Sequence, residues 1–155
     1  MTMPVGLPHL LNSAMVRLLR LARKADRQSP IGPAQLSALS VLYFSGDLST
    51  TALAEAEQVS QPTISRIAAS LHKAGAITRL PSGSDARSTL LQITPLGRKI
   101  FEAARAERLK VIESVLAYLS PASAEQLNVL LSSLLEAIDS ASTSSPEASS
   151  EPNPP

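Results

Sequence analysis

The sequence predicts a mainly α-helical protein with one small β-hairpin, and three observations lead to this fold class. Apolar residues recur at three- and four-residue steps in several separate segments, as on the buried face of a helix. Between Ile77 and Thr94 the apolar period changes to two, which is typical of paired strands. Glycine and proline stand between these segments, where helices end and begin.

The first two helices are predicted from their apolar repeats. Residues 7–25 carry the first repeat, formed by Leu7, Leu10, Leu11, Ala14, Leu18, Leu21, Ala22 and Ala25. The segment 29–33, with two prolines and a glycine, ends this helix, and Pro33 suits the first turn of the next one. The second helix ends at Gly46 and has the apolar face Leu36, Leu39, Leu42 and Tyr43.

A short turn joins the third and fourth helices. Ser49 is the predicted N-cap of the third helix, which runs to about Glu57. Ser60 is the predicted cap of the fourth helix, and Gly75 ends it. The predicted buried stripe of the fourth helix is Ile64, Ile67, Ala68 and Leu71. Two helices joined by so short a connection form a helix-turn-helix.

The hairpin and the last two helices follow. Residues 77–80 and 89–94 are the predicted strands, with Leu91 and Ile93 facing inward and residues 81–85 as the loop. Thr94-Pro95 and Ser120-Pro121 are cap-and-proline signals that begin the two helices. The predicted inward positions are Phe101, Ala104, Leu109, Ile112, Val115, Leu116 and Leu119, followed by Leu127, Leu130, Leu131, Leu134, Leu135 and Ile138.

The apolar faces of the first helix and the last two helices are too large for so small a domain to cover. This favours a homodimer in which these helices pack across a two-fold axis. The alternative is a bundle within a monomer. From about Ser140 the chain is rich in Ser, Pro and Glu without apolar periodicity, and we expect residues 141–155 to be a disordered tail.

Composition excludes several classes of function. The chain has no cysteine, which removes disulfides, thiol catalysis and cysteine-ligated zinc. It has no pair of histidines at metal-ligand spacing, no glycine-rich phosphate loop and no catalytic grouping, so we expect no metal, no cofactor and no enzymatic activity. It also has no membrane-spanning apolar stretch and no charged signal-peptide start, and we expect a cytoplasmic protein.

The net charge of +1 conceals an uneven distribution. Residues 1–48 carry +3, residues 49–99 carry +3 and residues 100–155 carry −5. A basic front part favours a polyanionic partner, and an acidic rear part would be repelled from it.

The fourth helix has a polar, cationic face opposite its apolar stripe. Short polar and guanidinium side chains of this kind reach base edges and phosphates in DNA. The residues are Thr63, Arg66, Ser70 and Lys73, with Gln61 and Ser65 beside them. A single amphipathic helix is more often an ordinary solvated face, but the turn before it and the hairpin after it favour a DNA-reading unit.

The hairpin tip is the second candidate DNA-binding element. Arg87 suits the minor groove, where the negative potential attracts a guanidinium group. Asp85 suits a hydrogen bond that holds the arginine or the loop backbone. The alternative is that Asp85 only supports a turn and that Arg87 is a surface charge. Arg79 and Ser84 complete the set of predicted DNA-contacting residues.

These residues together resemble the MarR family of bacterial transcription regulators, over about residues 7–140. The matching segments are 53–55, Val59 to Arg66, Leu71, 75–77, Asp85-Ala86-Arg87 and Leu91 to Arg98. The resemblance implies a dimer of winged helix-turn-helix lobes that represses, less often activates, genes through an inverted-repeat operator. The implied parts are an N-terminal dimerisation helix (1–30), a DNA-binding domain (31–98), C-terminal dimerisation helices (99–140) and the tail.

The resemblance also implies residue roles and a form of control. It places Ser60, Gln61, Thr63, Ser65 and Arg66 in the major groove. It makes Arg87 the wing-tip arginine and Asp85 the residue that steadies the wing. It further implies control by a small aromatic or phenolic ligand, held between the DNA-binding lobe and the dimerisation helices.

One departure from the family pattern lies just before the fourth helix. Many members have Leu-Gly where this chain has Glu57-Gln58. Because glycine is best suited to a left-handed backbone, we expect the turn to adopt a different local geometry. We expect Glu57 to turn outward or to pair with a nearby arginine.

Two functional hypotheses from different classes follow. The first is a dimeric DNA-binding regulator. The second is a winged-helix module that binds an acidic protein partner and no DNA. Retention on heparin and a shift of DNA from the protein's own upstream region would distinguish the first from the second.

Overall fold

The predicted fold class is confirmed, because the described part of the chain forms six helices and a three-stranded antiparallel sheet. The computed structural model describes residues 6–26, 28–82 and 85–143, and the side chains of all of these except 82, 85–88, 142 and 143. In chain order the elements are α1 (Leu7–Asp26), α2 (Pro33–Ser45), β1 (Leu48–Ser49), α3 (Thr50–Ala56), α4 (Gln61–Lys73), β2 (Ile77–Ser82), β3 (Asp85–Ile93), α5 (Pro95–Leu116) and α6 (Pro121–Thr143).

The chain forms two compact units, Met1–Glu113 and Ser114–Pro155. The core of the first unit joins α2, α3, α4, the sheet and the start of α5. Its largest fully buried side chains are Leu36, Leu39, Leu42, Leu53, Ile64, Leu71, Ile77 and Leu91. Burial of each such side chain contributes about 1.5–3 kcal/mol before the entropy of ordering is counted. The core therefore holds the helix-turn-helix to the hairpin as one body.

The sheet has the order β1-β3-β2, with β3 in the centre. Leu91 and Ile93 face the core, as predicted. The predicted hairpin loop is wrong at its ends, because Pro81 pairs with Thr89 and Ser82 pairs with Asp85, beyond a register irregularity. β2 is an edge strand, the kind of strand within a sheet in which proline is tolerated.

The two-residue strand β1 was not predicted. Leu48 pairs with Leu91, and Ser49 pairs with Leu90. Two residues are too few to show a period of two, so only their pairing with β3 reveals the strand. Ser49 also caps α3 as predicted, because its Oγ accepts a hydrogen bond from the amide of Ala52 at 3.1 Å.

The helix α5 begins with the predicted threonine cap. Thr94 Oγ1 accepts a hydrogen bond from the amide of Gly97 at 3.0 Å. Only the first half of α5 is buried, through Gly97, Phe101 and Ala104. The prediction that the later apolar positions face inward is wrong for the single chain, where Leu109, Ile112, Val115, Leu116 and Leu119 are exposed. The helix ends at Leu116, three residues before Leu119, the last inward position predicted for it.

The helices α1 and α6 also leave large apolar side chains exposed. In the described part of α1 no residue is buried. The exposed set on the two helices includes Leu7, Leu10, Leu11, Leu18, Leu130, Leu131, Leu135 and Ile138. The helix α6 extends to Thr143, so the predicted tail is wrong at its first residues, and residues 144–155 lie outside the described part.

One ion pair joins the end of α1 to α5. Arg108 Nε donates a hydrogen bond to Asp26 Oδ1 at 2.7 Å, and the Asp26 side chain is only 11% exposed. Within the described residues, no helix is long and apolar enough to cross a membrane.

Candidate nucleic-acid interface

The turn between α3 and α4 keeps a left-handed residue although it has no glycine. Gln58 has φ +54°, the only positive φ among described residues other than glycine. The amide of Val59 donates to Ala54 O at 3.0 Å, and the amide of Gln58 donates to Glu55 O at 3.1 Å. This pair of bonds is the Schellman motif that usually ends in glycine. The expectation of a different backbone geometry is therefore wrong, because the hydrogen bonds of the turn hold glutamine in the conformation that glycine favours.

Replacing Gln58 with glycine should stabilise the protein. A non-glycine residue in the left-handed region costs about 1 kcal/mol, which exceeds the extra chain entropy of glycine in the unfolded state. We expect the free energy of unfolding in urea to rise by about 0.5 kcal/mol. Gln58→Ala is the matched control, because it removes the same side chain without relieving the backbone. Equal stabilities of the two variants would contradict the assignment of strain to Gln58.

Glu57 faces α2 and pairs with no arginine whose side chain the structure describes. Its Oε1 accepts a hydrogen bond from Ser37 Oγ at 3.0 Å, and the residue is half-buried. The expected arginine partner is therefore absent among the described side chains, which do not include that of Arg87. The partner of the Glu57 carboxylate is instead the hydroxyl group of Ser37 on α2, which lies within hydrogen-bond distance of it.

Ser60 lies at the N-cap position of α4 as predicted, but its side chain makes no capping hydrogen bond. The carbonyl oxygen of Ser60 accepts from the amides of Thr63 and Ile64, at 3.0 and 3.1 Å. The Ser60 hydroxyl makes no bond to the backbone of the first turn and lies 2.9 Å from Thr63 Oγ1. The two hydroxyl groups thus form one exposed hydrogen-bonded pair at the start of the helix.

The face of α4 that points away from the core is polar and cationic. Ile64, Ala68 and Leu71 are buried on the opposite face, as predicted, whereas Ile67 is only partly buried. Every predicted contact residue of α4 is exposed, namely Gln61, Thr63, Ser65, Arg66, Ser70 and Lys73. Arg66 and Lys73 are two helical turns apart, roughly 10 Å along the axis, and lie directly opposite the buried stripe. Two cations at this spacing can contact successive phosphates of a DNA backbone or the edges of one groove.

Ser70 lies on the side of α4 that faces α2. Its Oγ accepts a hydrogen bond from Gln35 Nε2 at 2.6 Å. The sequence interpretation did not include Gln35 among the site residues. The sequence did contain a signal for the orientation of Gln35. It lies three residues after the N-cap Gly32, where a glutamine side chain commonly bonds back to the cap.

The end of α4 is tied to the base of the hairpin. Gly75 has φ +70°, as its predicted role after the helix requires, and its carbonyl oxygen accepts from Thr94 Oγ1 at 2.7 Å. Arg79 is exposed on β2, opposite Leu91 of β3. The backbone of Asp85 and Arg87 belongs to β3, whereas their side chains, and Ser84 as a whole, lie outside the described part. The helix and the hairpin are therefore held together at their shared base.

A cavity of about 300 Å³ lies in the first unit, at the end of α1 and beside α5. Among the described residues its lining is mainly aliphatic and has no aromatic ring, with Lys99 and Glu107 as the ionisable members. The hydrogen bond that Lys110 donates to Glu107, together with the charge of that carboxylate, raises the pKa of Lys110.

The helix-turn-helix and hairpin match known proteins. The MarR family profile matches residues 31–89. An uncharacterized HTH-type transcriptional regulator of Mycobacterium leprae is 34% identical over 129 residues, which cover 83% of this chain and 90% of that protein. This identity over most of both chains identifies homologous proteins.

Solved structures have the same fold. A transcriptional regulator from Thermotoga maritima aligns with a TM-score of 0.76 at 23% identity, covering 92% of this chain and all of that one. A mutant of MepR from S. aureus bound to an oligodeoxyribonucleotide aligns with a TM-score of 0.64 at 23% identity, covering 84% and 96%. BpsR from Bordetella bronchiseptica aligns with a TM-score of 0.62 at 23% identity, covering 83% and 98%. The chain belongs to the MarR family of helix-turn-helix transcriptional regulators.

Proposed function

We propose that the protein is a homodimeric, sequence-specific DNA-binding repressor that recognises an inverted-repeat operator. The helix α4 enters the major groove, and the hairpin presents Arg87 to the adjacent minor groove. The observation that carries this proposal is the exposed polar face of α4, with Arg66 and Lys73 opposite the buried stripe. The bond from Thr94 to Gly75 supports it, because it fixes the helix and the hairpin to each other.

The dimer is supported by the exposed apolar side chains of α1, of the second half of α5 and of α6. Soluble monomers rarely expose so many leucines on consecutive helical turns, because each exposed side chain forgoes the free energy of burial. An inverted repeat requires two recognition helices about one DNA turn apart, and a two-fold dimer formed through these faces would supply two copies of α4. The MepR structure with a bound oligodeoxyribonucleotide supports DNA as the partner.

Binding to the DNA upstream of the protein's own gene is the direct test, measured by gel shift at 50 and 200 mM salt. Phosphate contacts release counterions, so we expect a loss of affinity of about 10³-fold between these salt concentrations if six phosphates are neutralised. Arg87→Ala should weaken binding by about ten-fold, because a guanidinium group in a narrow minor groove interacts with a strong negative potential.

Arg105→Ala is the matched control, since Arg105 is exposed on α5 and is not part of the helix-turn-helix or the hairpin. We expect it to bind DNA as the wild type does. If the wild type neither binds heparin nor shifts DNA, the alternative of a protein-binding winged helix is favoured. If both arginine variants bind like the wild type, the wing role of Arg87 is wrong.

The proposal includes release of the DNA by a small aromatic or phenolic ligand. The cavity beside α5 is large enough for one ring and offers the amine of Lys99 to an acidic substituent. The comparison with BpsR supports such control, since the DNA binding of that protein is regulated by 6-hydroxynicotinic acid. A gel shift repeated with hydroxylated aromatic acids, on the wild type and on Lys99→Ala, tests this part separately from DNA binding.

A further inference from the structure

Gln35 connects the first turn of α2 to α4 through the two ends of its side-chain amide. Its Oε1 accepts a hydrogen bond from the amide of Gly32 at 2.6 Å, and its Nε2 donates to Ser70 Oγ at 2.6 Å. An amide has one acceptor end and one donor end, so the bond to Gly32 fixes which end faces α4. The side chain is thereby held in the orientation that reaches Ser70.

The bridge spans an edge where apolar packing is incomplete. A groove of about 320 Å³ lies between the start of α2 and α4, lined by Gly32, Pro33, Ala34, Gln35, Arg66, Ile67 and Ser70. Elsewhere the contact of α2 with α4 is made by buried aliphatic side chains, whose attraction is not directional. Such contacts favour no particular direction by themselves, whereas a hydrogen bond weakens as its donor–acceptor angle departs from the preferred range, so it disfavours rotation of α4 about its axis.

Ser70 lies one helical turn after Arg66, on the same side of α4. Any rotation that moves Ser70 therefore moves the origin of the Arg66 side chain by the same angle. Arg66 is exposed and points away from the core, so its direction decides which base edges it can reach. Fixing Ser70 thus limits the directions that are open to Arg66.

We propose that Gln35 and Ser70 are positioning residues that set the rotation of α4 and hence the base preference of Arg66. This inference rests on the proposed function in DNA binding. It assigns Ser70 to the α2–α4 contact, in place of the DNA contact that the sequence predicts. It gives Gln35 a role in specificity without contact to DNA.

The test is a double-mutant cycle on DNA discrimination. The wild type first selects a duplex from a random pool, and its affinities for that duplex and for a scrambled duplex are measured by fluorescence anisotropy. Ser70→Ala, Gln35→Ala and the double variant should each lower the ratio of the two affinities by about five-fold, the effect of one hydrogen bond. Ser70→Thr keeps the hydroxyl group and should retain a ratio close to that of the wild type. Ser70→Ala also leaves the bond from Gly32 to Gln35 in place. It therefore separates the positioning of α4 from the capping of α2.

The outcomes distinguish this inference from the proposed function. An unchanged ratio in Gln35→Ala overturns it, as does a double variant whose loss is the product of the two single losses, because independent effects would then act. A loss of thermal stability with an unchanged ratio also overturns it, since the bridge would be structural only. If the wild type selects no duplex, the proposed function fails as well.

Discussion

Replacing Gly97 with alanine should lower the free energy of unfolding by about 3 kcal/mol, because the added methyl group has no room. A Cβ atom at this position would lie 2.0 Å from Ala76 O and 2.9 Å from Ile93 Cγ1. The carbonyl of Ala76 cannot move away freely, since it accepts a hydrogen bond from the amide of Thr94 at 3.0 Å. The higher helix propensity of alanine would stabilise the folded protein by about 1 kcal/mol, which is too little to offset a backbone clash.

Urea unfolding, followed by circular dichroism, measures this change. Lys99→Ala is the matched control, because Lys99 is exposed in the same turn of α5 and its replacement should change stability by less than about 0.5 kcal/mol. A Gly97→Ala variant as stable as the control would show that α5 packs less closely against Ala76 and Ile93 than the structure indicates.

The Arg66→Ala variant should lose about ten- to one-hundred-fold in affinity for the operator and should discriminate less well between operator and scrambled DNA. Arg66 lies on the exposed face of α4, opposite the buried stripe, and a bidentate arginine contact to a base contributes about 1–3 kcal/mol of discrimination. Titration of both duplexes at fixed salt measures the two effects separately. Thermal unfolding of the variant should match that of the wild type, because the side chain is exposed.

Lys73→Ala is the informative comparison, since Lys73 lies on the same face two turns later. A lysine that contacts phosphate should weaken binding to all duplexes equally and lower the slope of log affinity against log salt by about one. Equal behaviour of the two variants would contradict the distinct roles of Arg66 in base reading and Lys73 in phosphate contact.

The helix boundaries followed closely from local sequence signals. Thr94-Pro95, Ser120-Pro121, Ser49 and Gly75 each act at the predicted position, because capping depends on hydrogen bonds within one turn of the chain. The buried stripe of α4 also followed from the spacing of its apolar residues. The MarR resemblance, confirmed by the comparisons, placed the helix-turn-helix without any knowledge of its packing.

Other features required tertiary contacts. The strand β1 exists only because Leu48 pairs with a residue more than forty positions later in the chain, Leu91. The inward faces predicted for the second half of α5 and for α6 are largely exposed in a single chain, with Leu127 and Leu134 half-buried, because periodicity identifies an apolar face and not what covers it. Glu57 accepts a hydrogen bond from a serine of α2, and no local pattern around the turn could indicate that contact.

The sequence by itself determined the order of the helices, the position of the turn and hairpin, and the family, since caps, glycines and apolar periods act over a few residues. The tertiary structure decided the conformation of Gln58 and the bridge from Gln35 to Ser70. Both depend on how α2, α3 and α4 pack against one another, and burial of the shared hydrophobic core sets that packing. A left-handed glutamine is unfavourable by local preference alone, and it is held there by the hydrogen bonds of the turn and by the packing of α3 against α4.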